Sequence, residues 1–258
     1  MFNAENIRKG DEDQSSMSKT FAQLGIPFRL FEGPSDQASE YCASGLCSQC
    51  SKNRQHCFRL GIGCAIMVSC PACGTENGLD ADDREDCMCR RCKSDVPFPD
   101  LGEDEVKICY DCLRVGKAAI TKDTELGMIS WEQAFEGVTH GIPGLDRADF
   151  EMVPKDDDWV GARLPEEVMF EMLRTPTYST IQGEHWQFCC QQPMVFLGEW
   201  TREDFAQRAL DGDGKRYFEE VVQDCIPGLW EDELHDITGV YVFRCQTCYR
   251  VTAHWDIA

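Results

Sequence analysis

Five Cys-x-x-Cys pairs punctuate the chain: Cys47/Cys50, Cys70/Cys73, Cys89/Cys92, Cys109/Cys112 and Cys245/Cys248. A turn of this spacing points two thiolates at one ion, and a second such turn completes a closed four-sulfur zinc site. The chemistry predicted is structural, because a catalytic zinc needs an open position and usually a His or carboxylate among its ligands. Cys70, Cys73, Cys89 and Cys92 form the best-defined set, with 15 residues between Cys73 and Cys89, within the range for paired zinc knuckles. Zinc there would anchor both ends of the charged loop beginning at Gly78. Cys47/Cys50 and Cys109/Cys112 flank that unit. They can join each other, with the inner ribbon inserted between them, or Cys47/Cys50 can join Cys70/Cys73. Spacing leaves both pairings open.

The elements that must position these knuckles differ along the chain. Residues 1–19 are polar and Ser-containing and read as a disordered lead-in. Residues 20–119 are dense in Cys and Gly, as a zinc-ribbon region should be, with residues 60–100 carrying the inner ribbon. Residues 120–258 read as an α+β domain ending in a knuckle hairpin. Within it, Leu164-Pro165-Glu166-Glu167 opens a helix, with Pro early and acids in the first turn. Val168, Met169, Met172 and Leu173 supply its apolar face, and Thr175-Pro176 ends it. Thr201-Arg202-Glu203-Asp204 is a capping-box start for a second helix through Leu210. Tyr217 to Val222 begins a third, ending before Pro227. Gly239 to Arg244 alternates as a strand that delivers Cys245/Cys248, and Val251 to Trp255 returns as its hairpin partner.

Composition narrows the function. The chain has 258 residues, enough for a substantial core. Seventeen cysteines, an odd number, do not fit a complete disulfide framework. Met1 to Asn6 leads into Asp11-Glu12-Asp13 without an apolar segment, so no secretory signal is expected. The apolar run from Ile62 to Val68 is too short to span a bilayer. These features predict a cytoplasmic protein whose thiolates are held on zinc.

The balance of 25 basic and 46 acidic side chains leaves a net charge of −21. Each filled four-cysteine site would add about two more negative charges. Acids cluster at Asp80 to Asp86, Glu103 to Glu105, Asp156 to Asp158 and Glu231 to Glu233. Such a surface repels phosphate backbones, which disfavours DNA and RNA as partners. It suits a basic protein, whose encounter it would accelerate.

Other chemistry is poorly supported. Cys189 follows His185 by four residues and Cys57 follows His56, but neither pair has an orienting partner or an oxyanion loop. Asp211-Gly212-Asp213-Gly214-Lys215 imitates the start of a calcium loop. Lys215 then falls on a ligand position and Val222 on the acidic one, so the segment reads as a turn before a helix. Trp186, Phe188, Phe196 and Trp200 read as core. No phosphate-binding glycine motif is present.

Several segments, in order, resemble the CbrC family of bacterial proteins, whose name is linked to colicin tolerance. They are Gly25-Ile26-Pro27-Phe28, Cys47-Ser48-Gln49-Cys50, and Ile108-Cys109-Tyr110-Asp111-Cys112 with Gly116-Lys117-Ala118-Ala119. Glu171 follows, then Arg174-Thr175-Pro176-Thr177-Tyr178, Glu184-x-Trp186, Phe196-Leu197-Gly198 and Tyr241-x-Phe243-x-Cys245-x-x-Cys248. The resemblance spans residues 24–258 and leaves residues 60–100 as an insertion, which favours the nested pairing of the outer knuckles. Thr177 stands where that family usually has Gly, and Cys189-Cys190 where it tends to have His-Cys. Cys in place of His keeps a ligand, so the resemblance implies a third site from Cys189, Cys190, Cys245 and Cys248.

The expectation is therefore an α+β protein with a zinc-ribbon region and a nested second ribbon, packed on a helical/β C-terminal domain. Two or three structural Zn²⁺ would be its only cofactors. It would have no catalytic residues and would act as an immunity or tolerance protein, neutralising a basic toxin such as a nuclease without touching nucleic acid or membrane. Asp82, Asp83, Glu85 and Asp86 are the expected contacts. The alternatives are a zinc-ribbon adaptor in a regulatory or stress complex and a zinc-dependent hydrolase with a pocket beside His185 or His140.

Overall fold

Alternation without a polar face requires a strand buried on both sides, and Val240-Tyr241-Val242-Phe243 has that pattern. All four side chains are buried, Tyr241 and Phe243 in one apolar cluster and Val240 and Val242 in another. The computed structural model describes residues 18–101, 105–120, 129, 131–139, 151–154, 160–233 and 238–257. Most of the expected lead-in lies outside these residues, as do His140, Glu103 and Asp156 to Asp158.

The ribbon region runs through β1 (Tyr41–Cys47), β2 (Lys52–Arg59), β3 (Ala65–Ser69), β4 (Glu76–Asp80), β5 (Cys87–Met88), β6 (Asp95–Val96) and β7 (Lys107–Cys109). It continues into α1 (Tyr110–Arg114) and β8 (Ala118–Ala119). Next come α2 (Trp131–Glu136), β9 (Met152–Pro154), β10 (Val160–Ala162), α3 (Glu166–Leu173), β11 (Phe188–Cys189), β12 (Gln192–Pro193) and β13 (Val195–Glu199). The described chain closes with α4 (Arg202–Arg208), α5 (Gly214–Val221), β14 (Thr238–Arg244) and β15 (Val251–Ile257). The architecture is α+β, made of small antiparallel sheets ordered β1-β2-β7, β4-β3-β8, β5-β6, β10-β9, β11-β12 and β13-β14-β15.

Helix ends follow local chemistry. Thr201 accepts the Asp204 N–H and the Asp204 carboxylate accepts the Thr201 N–H, a reciprocal cap for α4. This helix stops at Arg208, short of the expected Leu210, which is fully exposed. The third expected helix begins earlier than Tyr217, because Asp213 Oδ1 accepts the Arg216 N–H at 3.0 Å and so caps α5 at Gly214.

The ribbon region and the C-terminal sheet share one apolar cluster running from Phe21 to Cys245. Phe21, Phe28, Tyr41 and Phe58 pack edge-on or tilted around the first sheet. Tyr178, Trp186, Phe196 and Phe243 pack against β13 and β14, with Tyr178 stacked on Phe196 and the other pairs tilted or edge-on. Phe31 joins the two groups: its ring meets Phe196 at 4.9 Å, and the two residues also form a parallel bridge. Behind the C-terminal sheet, Phe205 and Phe218 of α4 and α5 pack with Trp200, Val240 and Val242. Among the described residues no helix is long and apolar enough to cross a membrane.

Candidate metal centres

Four of the Cys-x-x-Cys turns share one backbone shape. The N–H of the residue four beyond the first cysteine returns to that cysteine's carbonyl: Ser51 to Cys47, Gly74 to Cys70, Lys93 to Cys89 and Tyr249 to Cys245, at 2.8, 2.8, 3.0 and 3.2 Å. Each returning residue has positive φ, between 53° and 72°. Only Gly74 among them is the residue that conformation favours. In three turns the first cysteine's own N–H is also closed, by the carbonyls of Thr75, Ser94 and Arg250 at 2.8, 2.8 and 2.9 Å. Such a loop leaves backbone N–H groups facing sulfur. Thr247 and Cys248 both donate to Cys245 Sγ, at 3.4 and 3.5 Å. Cys109/Cys112 is built differently, with Cys109 as the N-cap of α1 and Cys112 inside it.

Three sets of four sulfurs result, each with all donor atoms within 4.8 Å of one another. Cys47, Cys50, Cys109 and Cys112 form the first, Cys70, Cys73, Cys89 and Cys92 the second, and Cys189, Cys190, Cys245 and Cys248 the third. The outer knuckles thus meet each other, and the inner ribbon is nested between them. None of the seventeen cysteines is in a disulfide. Five lie outside the clusters: Cys42, Cys57, Cys64, Cys87 and Cys225.

The donor sets fit a tetrahedral dication. At a Zn–S distance of about 2.3 Å the edge of a regular tetrahedron is about 3.8 Å. Sulfur separations are 3.6 Å for Cys70–Cys92, Cys73–Cys89 and Cys189–Cys248, and 3.8 Å for Cys189–Cys190. Four all-thiolate ligands close the coordination sphere, which is the arrangement of a structural site.

Electrostatics differ from one ligand sulfur to the next: burial pushes Cys70 up to about 11, while other ligands are drawn down. The Cys92 N–H, foremost among its surroundings, holds the Cys89 thiol down at about 6. Burial raises Cys50, yet Arg54 and neighbouring donors bring it to about 7. Backbone donation from Arg250 does most to bring Cys248 to about 7. Cys57 goes the other way: burial, then the charges of Cys47 and Cys109, push it up to about 11, so it stays a neutral thiol beside the first cluster. It is the strand partner of both Cys42 and Cys109.

The remaining candidate residues are dispersed. Asp82, Asp83, Glu85 and Asp86 are exposed on the loop between β4 and β5. Asp80 Oδ1 accepts the Asp82 and Asp83 N–H groups, and Asp86 Oδ1 accepts that of Phe98 at 2.8 Å. His56 Nδ1 lies 2.7 Å from the Tyr41 hydroxyl, and Cys57 is buried in β2. His185 and His254 have ring centres 5.2 Å apart, while Cys189 belongs to the third cluster.

Sequence reasoning missed a buried polar network beneath the Arg-Thr-Pro-x-Tyr segment. The Tyr178 hydroxyl accepts the His185 N–H at 2.7 Å and lies 2.8 Å from His254 Nε2. Tyr241 donates to Asp256 Oδ1, and Asp256 Oδ2 accepts the Ile181 and Gln182 N–H groups. The polar residues of β15 sit at alternating positions 252, 254 and 256, a signal that reads as an exposed strand face. Arg114 also forms a two-pronged ion pair with Glu171, at 3.0 and 2.9 Å.

Fold and sites together define an α+β protein with three four-cysteine clusters able to hold metal ions, two in its ribbons and one on its C-terminal sheet. Residues 66–257 match UPF0167, an uncharacterised protein family, and the chain belongs to it. The match begins in β3 and so includes the second and third clusters whole, but only Cys109 and Cys112 of the first. Over 89 residues the chain is 30% identical to UPF0167 protein PA1536 of Pseudomonas aeruginosa, an alignment covering 33% of this chain and 47% of that protein. The chain thus spans about half the length of this curated relative. No solved structure matches it.

Proposed function

We propose that this chain is a non-enzymatic binding protein of the CbrC type, stapled by structural zinc in each cluster, that gives tolerance to a basic protein toxin. The observation that carries this reading is the net charge of −21 together with the exposed acids of the β4–β5 loop. Closed sulfur cages leave zinc no position for a substrate, so the metal serves rigidity. A rigid acidic surface attracts a basic partner from a distance and competes with that partner's anionic substrate. Asp82, Asp83, Glu85 and Asp86 are the contacts on that loop, and a nuclease is the partner class whose substrate such a surface imitates. Residence in the cytoplasm accords with thiols kept reduced.

The test is a pull-down from the native cell with zinc retained, followed by mass spectrometry and a salt titration. A single strongly basic protein released as salt rises supports tolerance. Acidic housekeeping proteins, or none, would overturn it in favour of an adaptor role.

A further inference from the structure

The three clusters are not equally protected. In the first, Cys47 and Cys109 are buried and the other two half-buried; in the second, only Cys92 is exposed. In the third, Cys190 and Cys248 are exposed, Cys189 is half-buried, and Cys245 alone is buried. The backbone differs as well. Cys189 and Gln192 pair across a two-residue turn whose central residues, Cys190 and Gln191, have φ of +52° and +61°. Positive φ at both central positions suits Asn-Gly or Gly-Gly, and here neither residue is glycine or asparagine. One sulfur of this cage is therefore carried at the tip of a turn that its own residues disfavour. Its neighbour Cys189 stays fixed in the β11–β12 hairpin, which Gln192 ties to Thr247 of the knuckle.

The structure assigns the third cluster a separate role, as an exchangeable zinc site in which Cys190 is the ligand that leaves first. This rests on the reading that each cluster holds zinc. When Cys190 detaches, the turn relaxes toward negative φ, and three thiolates continue to hold the ion. The vacated position faces solvent, because Cys190 and Cys248 are the exposed members. An incoming donor of the small-thiol or chelator class takes that position. Zinc then passes to the acceptor without change of oxidation state, while the freed thiolates take up protons from water. The first two clusters keep their ions on the same time scale, since most of their sulfurs are covered.

The experiment uses the full zinc-loaded chain, with zinc counted by mass spectrometry and release followed with excess 4-(2-pyridylazo)resorcinol. One equivalent is expected to leave at least about tenfold faster than the other two, as a barrier lower by one decade would give. Cys190→Ser should leave the third zinc on three thiolates and release it faster still, with the two slow equivalents unchanged, which also shows that the variant is folded. Gln191→Gly, which accepts the left-handed turn without strain, should slow the fast phase. Three equivalents leaving at one rate would overturn the inference while sparing the zinc reading, as would a fast phase whose rate Cys190→Ser leaves unchanged. Fewer than three zincs in the saturated chain would instead overturn occupancy of the third cluster, and the inference with it.

Discussion

Thr177 is bonded twice to the buried carboxylate of Glu40, through its backbone N–H at 3.1 Å and through its hydroxyl. Both residues are inaccessible or nearly so, at 0% and 4% exposure. The pair fastens the start of β1 to the Arg-Thr-Pro-x-Tyr segment, and Ser39 completes the join by donating to the Thr177 carbonyl at 3.0 Å. The hydroxyl at this position gives Glu40 a donor that Gly cannot supply. Thr177→Gly should therefore lower stability by about 1–3 kcal/mol, the cost of leaving a buried acceptor without its partner. Urea denaturation would measure it, and an unchanged midpoint would mean that the hydroxyl contributes nothing.

Gly78 lies under Trp131, where an added Cβ would sit 2.6 Å from Cδ1 of the indole. Gly78→Ala must push the ring away, and α2 with it. An overpacking cost of about 1–3 kcal/mol is expected. Near-ultraviolet circular dichroism should register the displaced tryptophan; an unaltered spectrum and stability would refute the contact.

Zinc content should ignore the five cysteines outside the clusters. Replacing Cys42, Cys57, Cys64, Cys87 and Cys225 by Ser, singly, is expected to leave the number of bound zincs unchanged. Cys57 is the demanding case, since it borders the first cluster. Loss of one zinc in Cys57→Ser would show that the ligand set is wrongly drawn.

Burial, followed by the neighbouring charge of His185, depresses His254 to about 3. In the unfolded chain the same group titrates near 6.5, so the unfolded state binds the extra proton first as pH falls. Its effect is absent above about pH 6.5 and grows as destabilisation between about 6.5 and 3, reaching a few kcal/mol at most. Cluster thiolates titrate in part of that window too. The measurement is thus the difference in pH slope between the native chain and His254→Gln, and equal slopes would exclude the histidine as a source.

Chelation with EDTA under reducing conditions should destabilise the ribbon region, because the strand pairs β1–β2, β3–β4 and β5–β6 are each joined at a knuckle that adds to what the shared apolar cluster supplies. Loss of circular dichroism restored by Zn²⁺, and not by Mg²⁺, is the expected pattern. A chelated chain that keeps its full stability would remove zinc from the fold's account.

Much of this was legible because a knuckle announces itself by spacing. The ligand set of the second cluster, the α3 start at Pro165-Glu166 and the β14–β15 hairpin all come from local patterns, whereas spacing left the pairing of the first cluster open. What stayed hidden is non-local. Nothing near Glu40 in sequence indicates Thr177, 137 residues away. The network of Tyr178, His254, Tyr241 and Asp256 was hidden for a different reason. Alternating polar residues on a strand ordinarily mean solvent, whereas here they face other polar groups inside the molecule. The third cluster was suggested only by resemblance, since Cys189-Cys190 is not a knuckle at all.

The nesting of the ribbons has a consequence for how the chain is made. Cys47 and Cys50 leave the ribosome well before Cys109 and Cys112, and the first partners to appear are Cys70 and Cys73, which belong to another cage. A nascent chain that met zinc at that moment could close the wrong four sulfurs. Completion of the inner ribbon by Cys89 and Cys92 withdraws that option, because Cys70 and Cys73 then have their own partners. Were zinc bound during synthesis, closure of the inner ribbon would leave the outer sulfurs for partners not yet translated.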